Sequence, residues 1–281
     1  MRKRPSMKAF LVLAALAVPA GSDLSCQVRP TPPGRNRPPW EAGKNDGGKK
    51  EGERKPAFPP TAERKEAKAL LKAFQKNLSR GKKFPVLRRE AIQSLVQKAH
   101  PSFVKPLVKL ATRDKSKLVR AAALEALGRL NFPETRKALV KILSRRGLVK
   151  DPLAFLAALD AVNRLGYHPA FFRPLASLFQ QAWDLKTPGV PQQKILRLFR
   201  KGKEKRAFRL LVDNLDEPRP ADVDSPSNPP ASWWEKRWKA WHFWKKDVKA
   251  ALKEITGVEF DRADFYRKWA RRKGRKKGIK Y

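Results

Sequence analysis

The chain has 281 residues, with 65 Lys and Arg against 26 Asp and Glu, a net charge of +39. Such an excess favours anionic partners and works against association of the chain with itself. Its single cysteine, Cys26, excludes an intramolecular disulfide and any cysteine-based metal site, so stability must come from packed helices alone.

The first residues read as a leader. Arg2, Lys3, Arg4 and Lys8 precede an apolar run from Ala9 to Ala20, and the small residues Ala20, Gly21 and Ser22 follow. That pattern predicts a signal peptide over residues 1–22 and an exported mature chain. The run rises only about 18 Å as a helix, short of a hydrocarbon core about 30 Å thick, so no transmembrane span is expected in the mature chain. Cleavage, retention as an anchor and lipidation at Cys26 stay open, although Asp23-Leu24-Ser25 fits a lipidation pattern poorly. Residues 23–60 are rich in Pro, Gly and Lys, and they predict a disordered tether with too little apolar surface to fold.

Helical patterning begins at Thr61, read as an N-cap, and Ala67, Leu70, Leu71, Phe74 and Leu78 follow at helical spacing. Over residues 61–215 the chain then repeats itself. Ala122-Ala123-Leu124-Glu125-Ala126-Leu127-Gly128-Arg129-Leu130 returns 35 residues later as Ala157 to Leu165, and it overlies Glu90 to Val96 32 residues earlier. A second block opening at Pro101, Pro133 and Pro169 follows each copy. A period of 32 to 36 residues with two helical patterns per unit predicts an all-α fold, an α-solenoid of antiparallel helix pairs. A fourth, degraded pair is expected in Ile195–Phe199 and Ala207–Leu215.

Asp114…Val119-Arg120-Ala121-Ala122-Ala123-Leu124-Glu125-Ala126-Leu127-Gly128 resembles a HEAT repeat, of the subtype shared with the lyase-like repeats of phycobilisome enzymes. Asp151 opens the next unit as Asp114 opens this one, with Phe155 and Asn163 in place of the family's Arg and Gly. The resemblance covers residues 86–181 and implies a right-handed solenoid whose second helices line the concave surface.

Residues 216–232 carry Pro218, Pro220, Pro226, Pro229 and Pro230 and predict a loop. In the C-terminal segment, residues 233–272, Trp234, Trp238, Trp241, Trp244, Val248, Leu252 and Ile255 share one face of a long helix that Gly257 ends. Asp261 is read as the cap of a last short helix carrying Phe265 and Trp269, and residues 273–281 as a basic tail. The run Ile255-Thr256-Gly257-Val258-Glu259-Phe260-Asp261 resembles the closing segment of secreted bacterial HEAT-repeat proteins, which seals the end of the stack. The tryptophan face is therefore read as a cap, with aromatic contact to a ligand as the other reading. The same resemblance implies a bacterial periplasm, cell envelope or extracellular location.

No Walker loop, nucleophile elbow, zinc-protease motif or dinucleotide fingerprint is present. His100 and His168 each precede the proline of a second block, an equivalence with a structural explanation. Neither a catalytic group, a metal, a cofactor nor a small-molecule substrate is expected. HEAT-like repeats also occur in DNA glycosylases and chromophore lyases, whose substrates are intracellular, and the leader argues against both. The repeat alignment singles out basic columns: Lys105, Lys137 and Arg173 in one, Lys109 and Lys141 in another with Ser177 completing it. These residues avoid the buried face and predict parallel ladders. Two readings follow for an expected monomer: an exported scaffold holding an acidic protein, or a module binding a polyanion such as nucleic acid, anionic polysaccharide or the membrane surface.

Overall fold

Eleven α-helices and several 3-10 turns account for the fold in the computed structural model, which describes residues 58–279 except 82, 146, 186–188 and 221. The predicted leader, Cys26 and nearly all of the predicted tether lie outside the described residues. After α1 (Arg64–Arg80), four antiparallel pairs follow: α2 (Pro85–Leu95) with α3 (Val104–Arg113), α4 (Lys117–Leu127) with α5 (Pro133–Leu143), α6 (Pro152–Leu165) with α7 (Phe172–Gln181), and α8 (Val190–Lys201) with α9 (Phe208–Asp213). The long α10 (Ala231–Thr256) and the short α11 (Ala263–Trp269) close the stack. The described part is thus an all-α solenoid, and the degraded fourth pair is a real one. No helix among the described residues is long and apolar enough to cross a membrane.

The first helices lie side by side, and their small residues explain how closely. A Cβ on Gly128 would sit 2.7 Å from the Cα of Ala161, so α4 and α6 approach until only hydrogen fits between them. Ala123, Leu124 and Leu127 from α4 and Ala158, Leu159 and Val162 from α6 are fully or almost fully buried there. Charge reinforces this layer. Arg88 Nη1 donates to Asp114 Oδ2 at 2.6 Å, and Arg120 Nη2 to Asp151 Oδ2 at 2.6 Å, each joining the start of one first helix to the neighbouring one. At the equivalent position of α6 stands Phe155, wholly buried, so an apolar contact replaces the next rung.

The second helices enter through a capped turn. His100 Nδ1 accepts from the Ser102 N–H and His168 Nδ1 from the Ala170 N–H, both at 3.2 Å, and the Glu204 carboxylate takes the same role from the Arg206 N–H at 3.1 Å. Pro101 and Pro169 therefore open a 3-10 turn, with the α-helix starting three residues later. Pro133 opens α5 directly. Glu204 also accepts from Tyr167 Oη at 2.7 Å, tying the third pair to the fourth. Burial would raise this carboxyl, but the bonds from Arg206 and Tyr167 outweigh it and hold it below the usual carboxylate value. Burial and the Glu204 bond push the Tyr167 phenol well above an ordinary tyrosine.

Three terminal features differ from the sequence reading. Glu63, not Thr61, precedes α1. Thr61 instead forms a parallel bridge with Ala99, and Ala62 N–H donates to Ala99 O at 2.8 Å. Arg262 stands at the N-cap of α11, while Asp261 pairs with Lys249 at 2.7 Å and the Ala263 N–H finds Asp216 Oδ1 at 3.0 Å. The basic segment after α11 is helical through Lys277 and folds back: Ile279 is buried and Lys277 Nζ donates to Thr256 O at 2.6 Å, at the end of α10. Gly257, at φ 74°, ends α10 in the left-handed region as its residue type predicts.

Candidate functional site: a basic furrow on the second helices

Where the first helices touch, the second helices part. Between α3 and α5 lies a furrow of about 540 Å³, and α1 and α3 flank another of about 500 Å³. The floor of the α3–α5 furrow is apolar, built from Val104, Val108, Ala138 and Ile142. Its banks are cationic: Lys105 and Arg113 on one side, Lys137, Lys141 and Arg145 on the other. Glu134 is the one carboxylate among its lining residues.

Helical spacing creates these banks. Lys105, Lys109 and Arg113 recur every four residues on α3, as do Lys137, Lys141 and Arg145 through α5 and its end, so each series runs along one side of its helix with a rise of about 6 Å per step. On α7 the series is Arg173, Ser177 and Gln181, and the charge is lost after its first member. Lys105, Lys109, Lys137, Lys141 and Arg173 are all exposed, and none forms an ion pair or hydrogen bond among the described residues. Arg145 reaches only a backbone oxygen, Thr112 O at 3.3 Å.

The repeat alignment missed further members of this surface. Arg113 and Arg145 continue the four-residue spacing by one more step, which the sequence already displays. Arg209 is the rung after Arg173, in Ala207-Phe208-Arg209-Leu210-Leu211 against Phe171-Phe172-Arg173-Pro174-Leu175. It is exposed, with Asp213 3.8 Å away. Lys68, Lys72 and Lys76 form the same series on α1, where Leu71 and Gln75 line the furrow against α3.

The tryptophans of α10 divide rather than act as one face. Trp244 is buried against Phe179 and Trp183, at ring separations of 5.8 and 6.0 Å, and its Nε1 faces the buried Gln192 Oε1 at 3.4 Å. Val248, Leu252 and Ile255 continue that buried seam, so this half is a cap. Trp234 and Trp241 are half-buried and Trp238 is 41% exposed. The division has a simple cause: Phe243 lies against Gly189, just before the first residue of α8, so the part of α10 before it has no α8 to cover it. There Arg237 is stacked between Trp183 and Trp233, at 4.4 and 3.8 Å, and Trp238 donates to Glu217. Among the described residues, no cluster of three or more His, Cys, Asp or Glu is placed to hold a metal ion.

No curated protein and no solved structure matches this chain. One family model does: residues 71–154 match HEAT repeats, from the middle of α1 to the start of α6. HEAT repeats commonly serve as scaffolds for protein interaction, using the extended surface that stacking creates. The matched residues 71–154 include both banks of the α3–α5 furrow.

Proposed function

We propose that the chain is a non-enzymatic, exported scaffold that holds an acidic, amphipathic segment of a partner protein in the furrow between α3 and α5. The observation that carries this reading is an apolar floor between cationic banks. A bare polyanion gains from Lys105, Lys137 and Lys141 but nothing from Val108, Ala138 and Ile142. A helix or strand with acidic edges and an apolar face gains from both. Export rests on the leader pattern of residues 1–22, and the bacterial envelope on the resemblance of the closing segment.

The test is charge reversal with folding held constant. Lys105→Glu, Lys137→Glu and Arg173→Glu combined should abolish capture of the partner from envelope extract by the immobilised chain, while the thermal melt stays within a few degrees of wild type. Capture that survives the triple reversal would remove the furrow from the account.

A further inference from the structure

A second surface runs along the edge where the first helices begin. Val86 is the second residue of α2, Leu118 of α4 and Leu153 of α6, and Val190 is the first of α8. They are 62%, 53%, 49% and 42% exposed, one aliphatic side chain per repeat at the same end of four neighbouring helices. Adjacent helices lie about 8–10 Å apart, so the four form a continuous stripe. Phe243, 51% exposed against Gly189, extends it, and Phe84 and Leu87 widen its start. Together these are seven of the twelve large apolar side chains exposed among the described residues, a concentration that scattered surface residues would not produce.

Among the described residues, the charges left unpaired where α2, α4 and α6 begin are basic. In the turns leading into α2, α4 and α6, Lys83, Lys115 and Lys150, with Lys117 at the first position of α4, are exposed and unpaired among the described residues. The carboxylates of those turns, Asp114 and Asp151, are closed off by Arg88 and Arg120. A depression of about 660 Å³ opens there, with Arg113, Lys117, Arg145 and Lys150 among its lining.

We propose that this edge rests on an anionic lipid bilayer: the aliphatic stripe enters the headgroup boundary, and the flanking lysines, with the depression, hold lipid phosphates or carboxylates. A second copy of the chain suits the edge poorly, because it would set these lysines against their own kind with no free carboxylate in the three turns to answer them.

Sedimentation of the full chain with vesicles tests this. The chain should pellet with phosphatidylcholine vesicles containing phosphatidylserine and not with phosphatidylcholine alone. Leu118→Ser with Leu153→Ser, and separately Lys117→Glu with Lys150→Glu, should each weaken that binding about tenfold or more, with an unchanged circular dichroism melt. The furrow variant Lys105→Glu, Lys137→Glu, Arg173→Glu should bind vesicles like wild type, which separates this face from the furrow. In a Cys26→Ser background, an environment-sensitive fluorophore on Leu118→Cys should shift to the blue with anionic vesicles, and one on Lys137→Cys should not. Undiminished pelleting of the Leu118→Ser, Leu153→Ser chain would overturn the proposal. So would a wild-type dimer in light scattering that the same substitutions convert to monomer, since the stripe would then join two copies.

Discussion

The two helix layers of this solenoid are made of the same repeat and treat charge in opposite ways. On the first helices and the turns before them, the aspartates are tied into structure: Asp114 and Asp151 bind Arg88 and Arg120, Asp160 binds Lys194, and Asp247 of α10 binds Arg197 of α8 at 2.9 Å. Small side chains bring that layer into close contact. On the second helices Lys105, Lys109, Lys137, Lys141 and Arg173 have no partner among the described residues, and the helices stand apart. A stack needs one layer to hold it together. The other layer is then free to meet something else, which is what the difference teaches about where binding resides.

Substitutions can break each half of that contrast. The largest effect is expected from Trp244→Ala, which empties the aromatic cluster with Phe179 and Trp183 and strips Gln192 of a partner. It should cost about 4 kcal/mol in a denaturant melt. Gly128→Val puts a branched side chain where Ala161 already sits and should cost about 3 kcal/mol, far more than the same change at an exposed glycine such as Gly147, where a Cβ meets nothing within 4 Å. Arg120→Ala leaves Asp151 without its partner and should cost about 2 kcal/mol. The same measurement on Lys105→Glu with Lys137→Glu should move stability by no more than about 0.5 kcal/mol. If the charge reversals destabilise as much as Arg120→Ala, the second layer is structural and the contrast fails.

A smaller effect belongs to pH. The Glu204 carboxyl is held below its ordinary value of 4.5 in the folded chain, so its contribution is complete above that pH and is lost as the pH falls through the folded value. Glu204→Gln should therefore lower stability at neutral pH and flatten the acid limb of a stability-against-pH curve, with little effect at low pH, where the carboxylate is already protonated. An acid limb unaltered by the substitution would show that the Tyr167–Glu204–Arg206 lock carries no pH dependence.

Much of the architecture was legible because repetition compounds weak signals. Any one of Ala122–Leu130, Ala157–Leu165 or Glu90–Val96 is an unremarkable apolar stretch, but three at a common period admit few folds. The same alignment located the basic columns, because equivalent positions in stacked helices become neighbours. What it could not supply was tertiary. That α10 outruns α8 at Gly189, leaving Trp238 bare while Trp244 is buried, depends on where another helix begins. That Thr61 pairs with Ala99, and that Ile279 folds back with Lys277 at the end of α10, depends on contacts between residues tens of positions apart. Arg209 escaped notice for a different reason: its repeat has lost the proline that aligned Lys105 with Arg173.

The central claim is that the furrow reads an apolar face and negative charge together. Its most direct test is the affinity of the chain for two peptides of identical composition, rich in Glu and Leu, one with the leucines on a single helical face and one with them dispersed. The account predicts that the one-faced peptide binds about tenfold or more tightly, and that Val108→Ser with Ile142→Ser removes the difference while leaving the salt dependence in place. Equal affinity for the two peptides would mean that only charge is recognised, and the furrow would then be a polyanion site.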